Sequence, residues 1–572
     1  MSQPSTHARL TGASSLGLLL LLLVAQAVCF LTAPLGLLDD GIQVVGAMLV
    51  RLGQRPNIDF DSVYPPLGSY VLSAAFGLLG TSGVTYHLLQ LLTAWVVVVA
   101  TAAGVVSLTN RKRAALPVAL LCLVLNAELP GLQSALALAF SLLATLAVLL
   151  ADARSGLPRT ALHVLAGALV ACLLWTRVNF ALYVLAAWAV EALARWSELR
   201  RGGAARPWLR DNACFAASLL VCFGLYVVGW GGSLLDLSRQ VIFTLSRALV
   251  DHVVSPVGSG LSASSVRQLF TCGLPMALLP LAWIAVTTRA ERGLLSRRVL
   301  CVVLALESVL LLAFGAWRPL WLPLLAAPPI CVSALHLYRQ RDVLREEAFV
   351  LLLLSLQTHY VLSRPDYPHF SATFPCLTLL LGLRLARTEL RDTRALLLLT
   401  AAVMAFPGVY GWRNIAVRTK QSVVGLPAVP ALVASDDALL FGACGPKCQP
   451  YVPDTDELAA ASFIRRHTAA QERVYSGLRW HAGTVGNDMR LYWLMRRPPG
   501  TRAVMQLLGV TTQPERQEAI ASELEQKRVR WAVLWSGGAT EGPTQDAPLD
   551  RYIREKFRMQ QRFGDYEVWR RL

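Results

Sequence analysis

Apolar residues recur in runs of about twenty along most of the chain, the length that a helix needs to cross roughly 30 Å of hydrocarbon. The first run begins at residue 16 and the last ends at residue 411. This pattern predicts a polytopic α-helical membrane protein with about thirteen transmembrane helices. The predicted spans are 16–33, 84–108, 116–127, 132–151, 161–177, 180–194, 212–230, 269–287, 299–315, 320–337, 347–362, 370–386 and 395–411.

Basic residues occupy every second loop between these runs, and this alternation predicts how the helices are oriented. Lys and Arg are retained on the cytoplasmic side of short loops. The odd-numbered helices are therefore expected to run outward, with everything after residue 411 outside. The basic loops are 111–113, 154–159, 195–210, 289–298, 339–345 and 384–394.

Two apolar stretches in the first outward loop are too short or too broken to span the bilayer comfortably. They are GIQVVGAMLVRLG at 41–53 and PPLGSYVLSAAFGLLG at 65–80. We predict that both form helices that lie at the membrane interface.

The composition changes after residue 411 to that of a globular domain. ELAAASFIRRHT at 457–468 has the pattern of an amphipathic helix, while RVYSGL at 473–478 and VRWAVLWSG at 529–537 are typical of strands. The segment 513–528 between the strands predicts another helix. We expect two domains, a transmembrane domain at 1–411 and a small extracytoplasmic α/β domain at 412–572.

Composition excludes an ordinary soluble protein, because 55% of the residues are hydrophobic and 16% are charged. The net charge of +17 accumulates in the cytoplasmic loops. A nucleic-acid-binding protein would need a basic soluble surface with interleaved aromatic residues, and the sequence has none. Nucleic acid is therefore not an expected partner.

Two cysteines, Cys444 and Cys448, stand apart from the others, which lie in or at the edges of apolar runs. Their C-x3-C spacing in an oxidising compartment favours a local disulfide. A zinc site would need further ligands, and none is nearby in the sequence.

Asp39 and Asp40 directly follow the first apolar run. Adjacent carboxylates at a membrane interface are costly unless they are solvated, paired or used. The pair is open to two interpretations. In the first, the helix end is solvated and Asp39 or Asp40 caps the start of the next helix. In the second, one carboxylate accepts a proton from an acceptor hydroxyl while its neighbour orients it or holds a cation.

Further along the same loop, Asp59 and Asp61 are expected to be turn residues, and Pro65-Pro66 predicts an extended entry into the next helix. Arg55 is an outward cation that could meet a phosphate.

Two other outward segments carry charge. Arg364, Asp366 and His369 lie between two apolar runs, either as a phosphate or acidic head-group site or as a tight turn with an Arg364–Asp366 pair. Arg177 ends a short helical hairpin, either as a phosphate ligand or as a side chain that reaches to the interface.

The order of these features resembles the GT-C superfamily of membrane glycosyltransferases, which use polyprenyl-phosphate-linked sugars. The resemblance rests on the acidic pair Asp39-Asp40, on G-x-x-P-x-x-D-F at 53–60 and on Pro66-Leu67. The sequence is similar to the bacterial branch that includes the lipid A aminoarabinose transferases and the protein mannosyltransferases. The layout agrees over the whole chain, and the motifs agree over about the first 85 residues.

The resemblance implies an inverting sugar transfer to an acceptor hydroxyl on the extracytoplasmic side of the bacterial inner membrane. It assigns the general base to Asp39, with Asp40 in support, and it places Arg177 near the lipid phosphate. Arg364, Asp366 and His369 would lie over the same cavity. The aminoarabinose enzymes have Lys before their Pro-Pro pair where this chain has Tyr64, so lipid A and aminoarabinose are not expected substrates.

The implied partners are a polyprenyl-phosphate-linked sugar, membrane lipid, and a glycan, lipid or protein acceptor. No cofactor is required, although Asp39 and Asp40 could hold a divalent cation. Two other functions fit the same layout, a lipid-linked sugar transporter or flippase and a non-catalytic scaffold for envelope assembly.

Overall fold

The computed structural model of the chain has a long helical part followed by a four-stranded sheet with helices packed on it. The residues that it describes are 6–31, 39–126, 131–152, 154–199, 205–232, seven positions between 346 and 357, 372–387, 455–481, 486–506, 510–536 and 547–572.

The helical part begins with nine helices in chain order among the described residues. They are α1 (Thr6–Leu31), α2 (Asp39–Arg51), α3 (Leu67–Leu79), α4 (Gly83–Thr109), α5 (Ala115–Leu125), α6 (Leu132–Asp152), α7 (Gly156–Leu174), α8 (Val178–Leu199) and α9 (Ala205–Trp230). A further helix, α10, covers Phe374–Arg387. Local signals define some of their ends. Ser82 Oγ accepts a hydrogen bond from Thr85 N at the start of α4, and Asn110 ends α4 in the left-handed conformation.

Within the described part of the chain, four helices are long and apolar enough to cross a membrane. They are Gly83–Thr109, Leu132–Ala151, Gly156–Leu174 and Pro207–Trp230. These segments match four of the predicted spans. The spans predicted at 269–287, 299–315, 320–337 and 395–411 lie outside the described residues, so the total number of helices stays a prediction.

The helices share one core in which α6 packs between α4 and α7, and α7 packs along α9. Gly167 allows the closest approach of α7 to α9, because a Cβ at this position would lie 2.3 Å from the carbonyl oxygen of Phe215. Helices α1 and α10 both pack against α4 and α5. Small residues at such crossings let two helix backbones approach in a membrane, where burial of apolar side chains gives little driving force.

Helices α2 and α3 confirm the two helices predicted in the first outward loop, but α2 is not an exposed interfacial helix. Residues 41–47 are all buried, because α2 packs against α3 on one side and against a helix of the C-terminal part on the other. Helix α3, in contrast, exposes 85% of Leu78 and 61% of Leu79. Protein therefore covers α2, whereas the end of α3 keeps an apolar surface suited to lipid.

The C-terminal part contains α11 (Thr455–His467), β1 (Val474–Leu478), α12 (Arg490–Met495), α13 (Pro514–Gln526), β2 (Trp531–Trp535), α14 (Pro548–Lys556), β3 (Phe557–Phe563) and β4 (Tyr566–Arg571). The strand order is β1-β2-β4-β3. Strand β1 is parallel to β2, and β4 is antiparallel to both β2 and β3.

The predicted helix at 457–468, the two predicted strands and the helix between them are confirmed. The hairpin of β3 and β4 was not predicted, because FRMQQRF shows no alternation of buried and exposed positions. The predicted domain boundary at 411/412 lies outside the described residues.

Candidate active site

Asp40 lies in the first turn of α2 and binds a buried tyrosine of the next long helix. Its Oδ1 accepts a hydrogen bond of 2.6 Å from the Tyr86 hydroxyl, near the start of α4. The same hydroxyl oxygen accepts a hydrogen bond of 3.2 Å from Leu132 N, at the start of α6. The starts of three helices thus meet at one tyrosine, and the positive ends of their dipoles favour the negative charge of Asp40.

Two glutamines extend this polar network. Gln43 Oε1 accepts a hydrogen bond of 2.9 Å from Gln133 N. The side-chain amide of Gln133 donates to the carbonyl oxygens of Pro65 at 3.2 Å and Thr176 at 2.6 Å. Gln133 therefore joins α2, the loop before α3 and the end of α7. Because it is 1% exposed, water cannot take over these hydrogen bonds.

Replacing Gln133 with Leu is expected to lower the free energy of unfolding by about 1–3 kcal/mol. The change keeps the volume but removes the donor that the buried carbonyls of Pro65 and Thr176 share. Denaturation of the purified protein in detergent measures the loss. The same substitution at Gln526, exposed on α13, is the control and should change stability by no more than about 0.5 kcal/mol. Equal effects at the two positions would contradict the structural role of Gln133.

The loop before α3 is folded around Asn57, which has a positive φ of 64°. Asn is among the few residues that adopt this conformation readily. Its side chain accepts a hydrogen bond from Ser62 N and donates to the carbonyl oxygen of Tyr64. Ser62 Oγ donates to the same carbonyl. The loop therefore holds Tyr64 in place before the Pro65-Pro66 entry to α3.

Arg177 lies between α7 and α8 and contacts Tyr64. The guanidinium carbon is 5.0 Å from the centre of the Tyr64 ring, and Nη2 is 3.4 Å from its hydroxyl oxygen. A guanidinium over an aromatic face keeps its charge and its fork of donors. The structure thus brings Arg177 together with Tyr64, the residue directly before Pro65-Pro66.

Arg55 pairs with Asp59 within the same loop. Asp59 Oδ2 accepts hydrogen bonds from Arg55 N at 2.7 Å and from Arg55 Nε at 3.1 Å. Burial raises the pKa of Asp59, but the hydrogen bonds and charge of Arg55 outweigh this effect and lower the pKa below its usual value. Asp59 is thus a turn residue, as predicted, and its carboxylate accepts a hydrogen bond from one nitrogen of the Arg55 guanidinium.

Asp61 joins the loop to the C-terminal part of the chain. Its backbone N–H donates to the carbonyl oxygen of Arg502 at 2.8 Å, and its carboxylate pairs with Arg516 and, at 3.7 Å, with Arg502. Burial raises the pKa of Asp61, and the charges of Arg516 and Arg502 oppose that rise. The turn prediction is therefore wrong for Asp61, because the turn covers residues 57–59 and Asp61 instead binds a distant part of the chain.

The remaining predicted residues are described only in part. Asp39 is the first residue of α2. Arg364, Asp366, His369, Cys444 and Cys448 lie outside the described residues. Within the described ranges, no group of three His, Cys, Asp or Glu side chains has the arrangement of a metal site.

Sequence reasoning did not select Tyr86, Gln43 or Gln133. The available signal was a polar residue near the outer end of an apolar run, which normally needs a partner in a membrane protein.

The basic residues Arg111 to Arg113 lie at the other end of α4, about 40 Å from Tyr86 by helix length. The acidic residues and the basic loop therefore occupy opposite ends of the bundle.

The network of Gln43 and Gln133 thus connects a helix with an acidic start to the loop that carries Tyr64 and to the residue before Arg177. A carboxylate there can take a proton from a hydroxyl. The guanidinium can bind a phosphate.

The sequence matches no protein-family model and no curated protein. The fold is similar to the crystal structure of ArnT from Cupriavidus metallidurans in the apo state, with a TM-score of 0.53, 14% identity and 98% of each chain covered. ArnT bound to undecaprenyl phosphate gives a TM-score of 0.51 with 14% identity and 97% of each chain covered. Archaeal oligosaccharyltransferase AglB from Archaeoglobus fulgidus, in complex with an inhibitory peptide and a dolichol-phosphate, gives 0.49 with 13% identity, covering 92% of this chain and 70% of that one.

The likeness to ArnT extends over nearly the full length of both chains. The resemblance expected from residues 39–67 is confirmed at the level of fold, and this chain has the fold of ArnT.

Proposed function

We propose that this protein is a membrane glycosyltransferase that moves a sugar from a polyprenyl-phosphate donor to an acceptor hydroxyl on the extracytoplasmic side. The observation that carries the proposal is the convergence of the acidic start of α2 with the Tyr64–Arg177 pair. Gln133 links the two, because its backbone N–H donates to Gln43 of α2 and its side-chain amide donates to Pro65 and Thr176, which adjoin Tyr64 and Arg177. The likeness to ArnT, solved with undecaprenyl phosphate, supports this class of donor.

The reaction is an inverting displacement. Asp39 takes the proton of the acceptor hydroxyl as its oxygen attacks the anomeric carbon from the face opposite the phosphate. The bond between the anomeric carbon and the phosphate oxygen breaks, and the electron pair leaves with the polyprenyl phosphate. Arg177 offsets the negative charge that grows on the leaving phosphate.

Asp40 has a different role in this proposal. Its hydrogen bond from Tyr86 fixes the first turn of α2 and leaves the neighbouring Asp39 as the base. Arg364 or His369 would also hold the phosphate, as the resemblance implies, and a divalent cation at the acidic pair would add charge stabilisation.

Deletion of this chain from its host is expected to remove one sugar modification from the envelope, and restoring the gene should return it. Glycan analysis of envelope lipids, polymers and proteins from both strains measures the effect. The same analysis identifies the sugar and the acceptor. Accumulation of the polyprenyl-phosphate sugar in the deleted strain is expected as well, because its consumer is gone.

The rival functions give other outcomes in this comparison. A flippase would transport the lipid-linked sugar in proteoliposomes without transferring it. A scaffold would support neither activity when purified. Transfer of labelled sugar by the purified protein alone supports the glycosyltransferase, and its absence with the donor and acceptor in hand would overturn it.

A further inference from the structure

The acidic helix start touches the C-terminal part of the chain at Gly41. Gly41 directly follows Asp39 and Asp40, and a Cβ at this position would lie 2.8 Å from Met489 Cβ and 3.4 Å from Arg490 N. Real Cβ atoms do not approach each other as closely as 2.8 Å, whereas 3.4 Å to Arg490 N is at the edge of ordinary contact. The backbone of α2 therefore rests on the start of α12.

Glycine is an unfavourable choice for this position on helix propensity alone. Gly within a helix costs about 1 kcal/mol relative to Ala. The other side of α2 contacts α3 through Gly46, where an added Cβ would meet the hydroxyl of Ser69. At Gly41 the obstacle is the Cβ of Met489, which no change of rotamer can move away.

Buried charges hold the opposing surface in place. Arg490 Nη2 contacts Glu457 Oε2 at 2.8 Å, and Asp488 Oδ1 accepts a hydrogen bond of 3.0 Å from Arg490 N. The Tyr566 hydroxyl donates to Asp488 Oδ2 at 3.0 Å. Glu457 and Asp488 are both 0% exposed, so this network fixes α12 to α11 and to the sheet.

Apolar contacts continue the same interface. Residues of α2 and α12 belong to one buried cluster, and the rings of Phe76 on α3 and Trp493 on α12 lie 5.6 Å apart. The pairing of Asp61 with Arg502 and Arg516 adds a second connection. The segment from α2 to α3, which begins with the acidic pair, is therefore held by the C-terminal part at separate points.

We propose that Met489 and Arg490 are positioning residues for the transfer reaction, which set the location of Asp39 and Asp40 by their contact with Gly41. This inference rests on the proposed function. It assigns to the C-terminal part of the chain a share in building the catalytic centre, because a displacement of about 1 Å at a catalytic group can cost 10²-fold in rate.

The test replaces Gly41 with Ala in the full-length protein reconstituted in proteoliposomes. The kcat of sugar transfer is expected to fall by about 10- to 100-fold while the KM for the lipid donor changes little. Ala strengthens the helix itself, so loss of α2 does not explain the fall. The double variant G41A/M489G removes the closest atom and should recover most of the lost kcat.

Gly224, on α9 with nothing within 4 Å of an added Cβ, supplies the matched control, and G224A should keep the wild-type kcat. Met489→Gly alone should lower kcat modestly without lowering the thermal stability enough to unfold the protein. Unchanged kcat in G41A, or a loss that M489G does not relieve, would overturn the inference. The proposed function fails separately, if the wild-type protein transfers no sugar when the donor and the acceptor are supplied.

Discussion

Asp39→Asn is expected to lower the rate of sugar transfer by about 10²- to 10⁴-fold, the contribution typical of a general base. Asn has the size of Asp but cannot take the proton of the acceptor hydroxyl at neutral pH. Initial rates with the purified protein in proteoliposomes measure the loss.

Asp40→Asn is the comparison that separates the two carboxylates. The side-chain oxygen of Asn can still accept the hydrogen bond that Tyr86 donates to Asp40. The start of α2 should therefore stay in place, and the rate should fall less than in Asp39→Asn. A larger loss at Asp40 than at Asp39 would transfer the base to Asp40 and contradict the assignment.

Asp565→Asn controls for the loss of one negative charge, because Asp565 is exposed in the turn between β3 and β4. Its transfer rate should equal that of the wild type. Each variant must also reach the membrane in the same amount, which quantitative immunoblotting of membrane fractions establishes. Full activity in a correctly inserted Asp39→Asn protein would rule out the base.

The sequence predicts the parts of the fold that depend on local periodicity. The run at 132–151 has the length and apolar content of a spanning helix, and α6 covers almost the same residues. Strand β2 lies within the segment VRWAVLWSG, where the residues are buried along the strand. The same reasoning missed β3, whose exposed polar residues are paired by β4 and carry no periodic signal.

The candidate site depends on pairs that local periodicity does not encode. Tyr86 follows Asp40 by 46 positions, and Gln133 precedes Thr176 by 43. Asp61 and its partner Arg516 are 455 positions apart. Propensity described Asp61 as a turn residue, because nothing near it in the sequence indicates the guanidinium groups that the fold brings to it. Motif resemblance located Asp39-Asp40 without its partners.

Arg177→Met is expected to lower the transfer rate by about 10²- to 10³-fold, as removal of one preorganised donor to a developing negative charge does in other enzymes. Met keeps a long apolar side chain beside Tyr64 but has neither charge nor donors. Arg177→Lys keeps the charge and should lose less, because a lysine binds phosphate as a point charge without the planar fork. Initial rates over a range of donor concentrations measure both variants.

Tyr64→Phe distinguishes the role of Arg177 toward phosphate from its contact with Tyr64. Phe removes the hydroxyl that lies 3.4 Å from Arg177 Nη2 and keeps the ring beneath the guanidinium. Because the ring still supports the charge, the rate should fall far less than in Arg177→Met. If the guanidinium stabilises the leaving phosphate, the transfer rate should be lowest in Arg177→Met, higher in Arg177→Lys and highest in Tyr64→Phe. Equal losses in Arg177→Met and Tyr64→Phe would instead mean that Arg177 serves only to hold Tyr64.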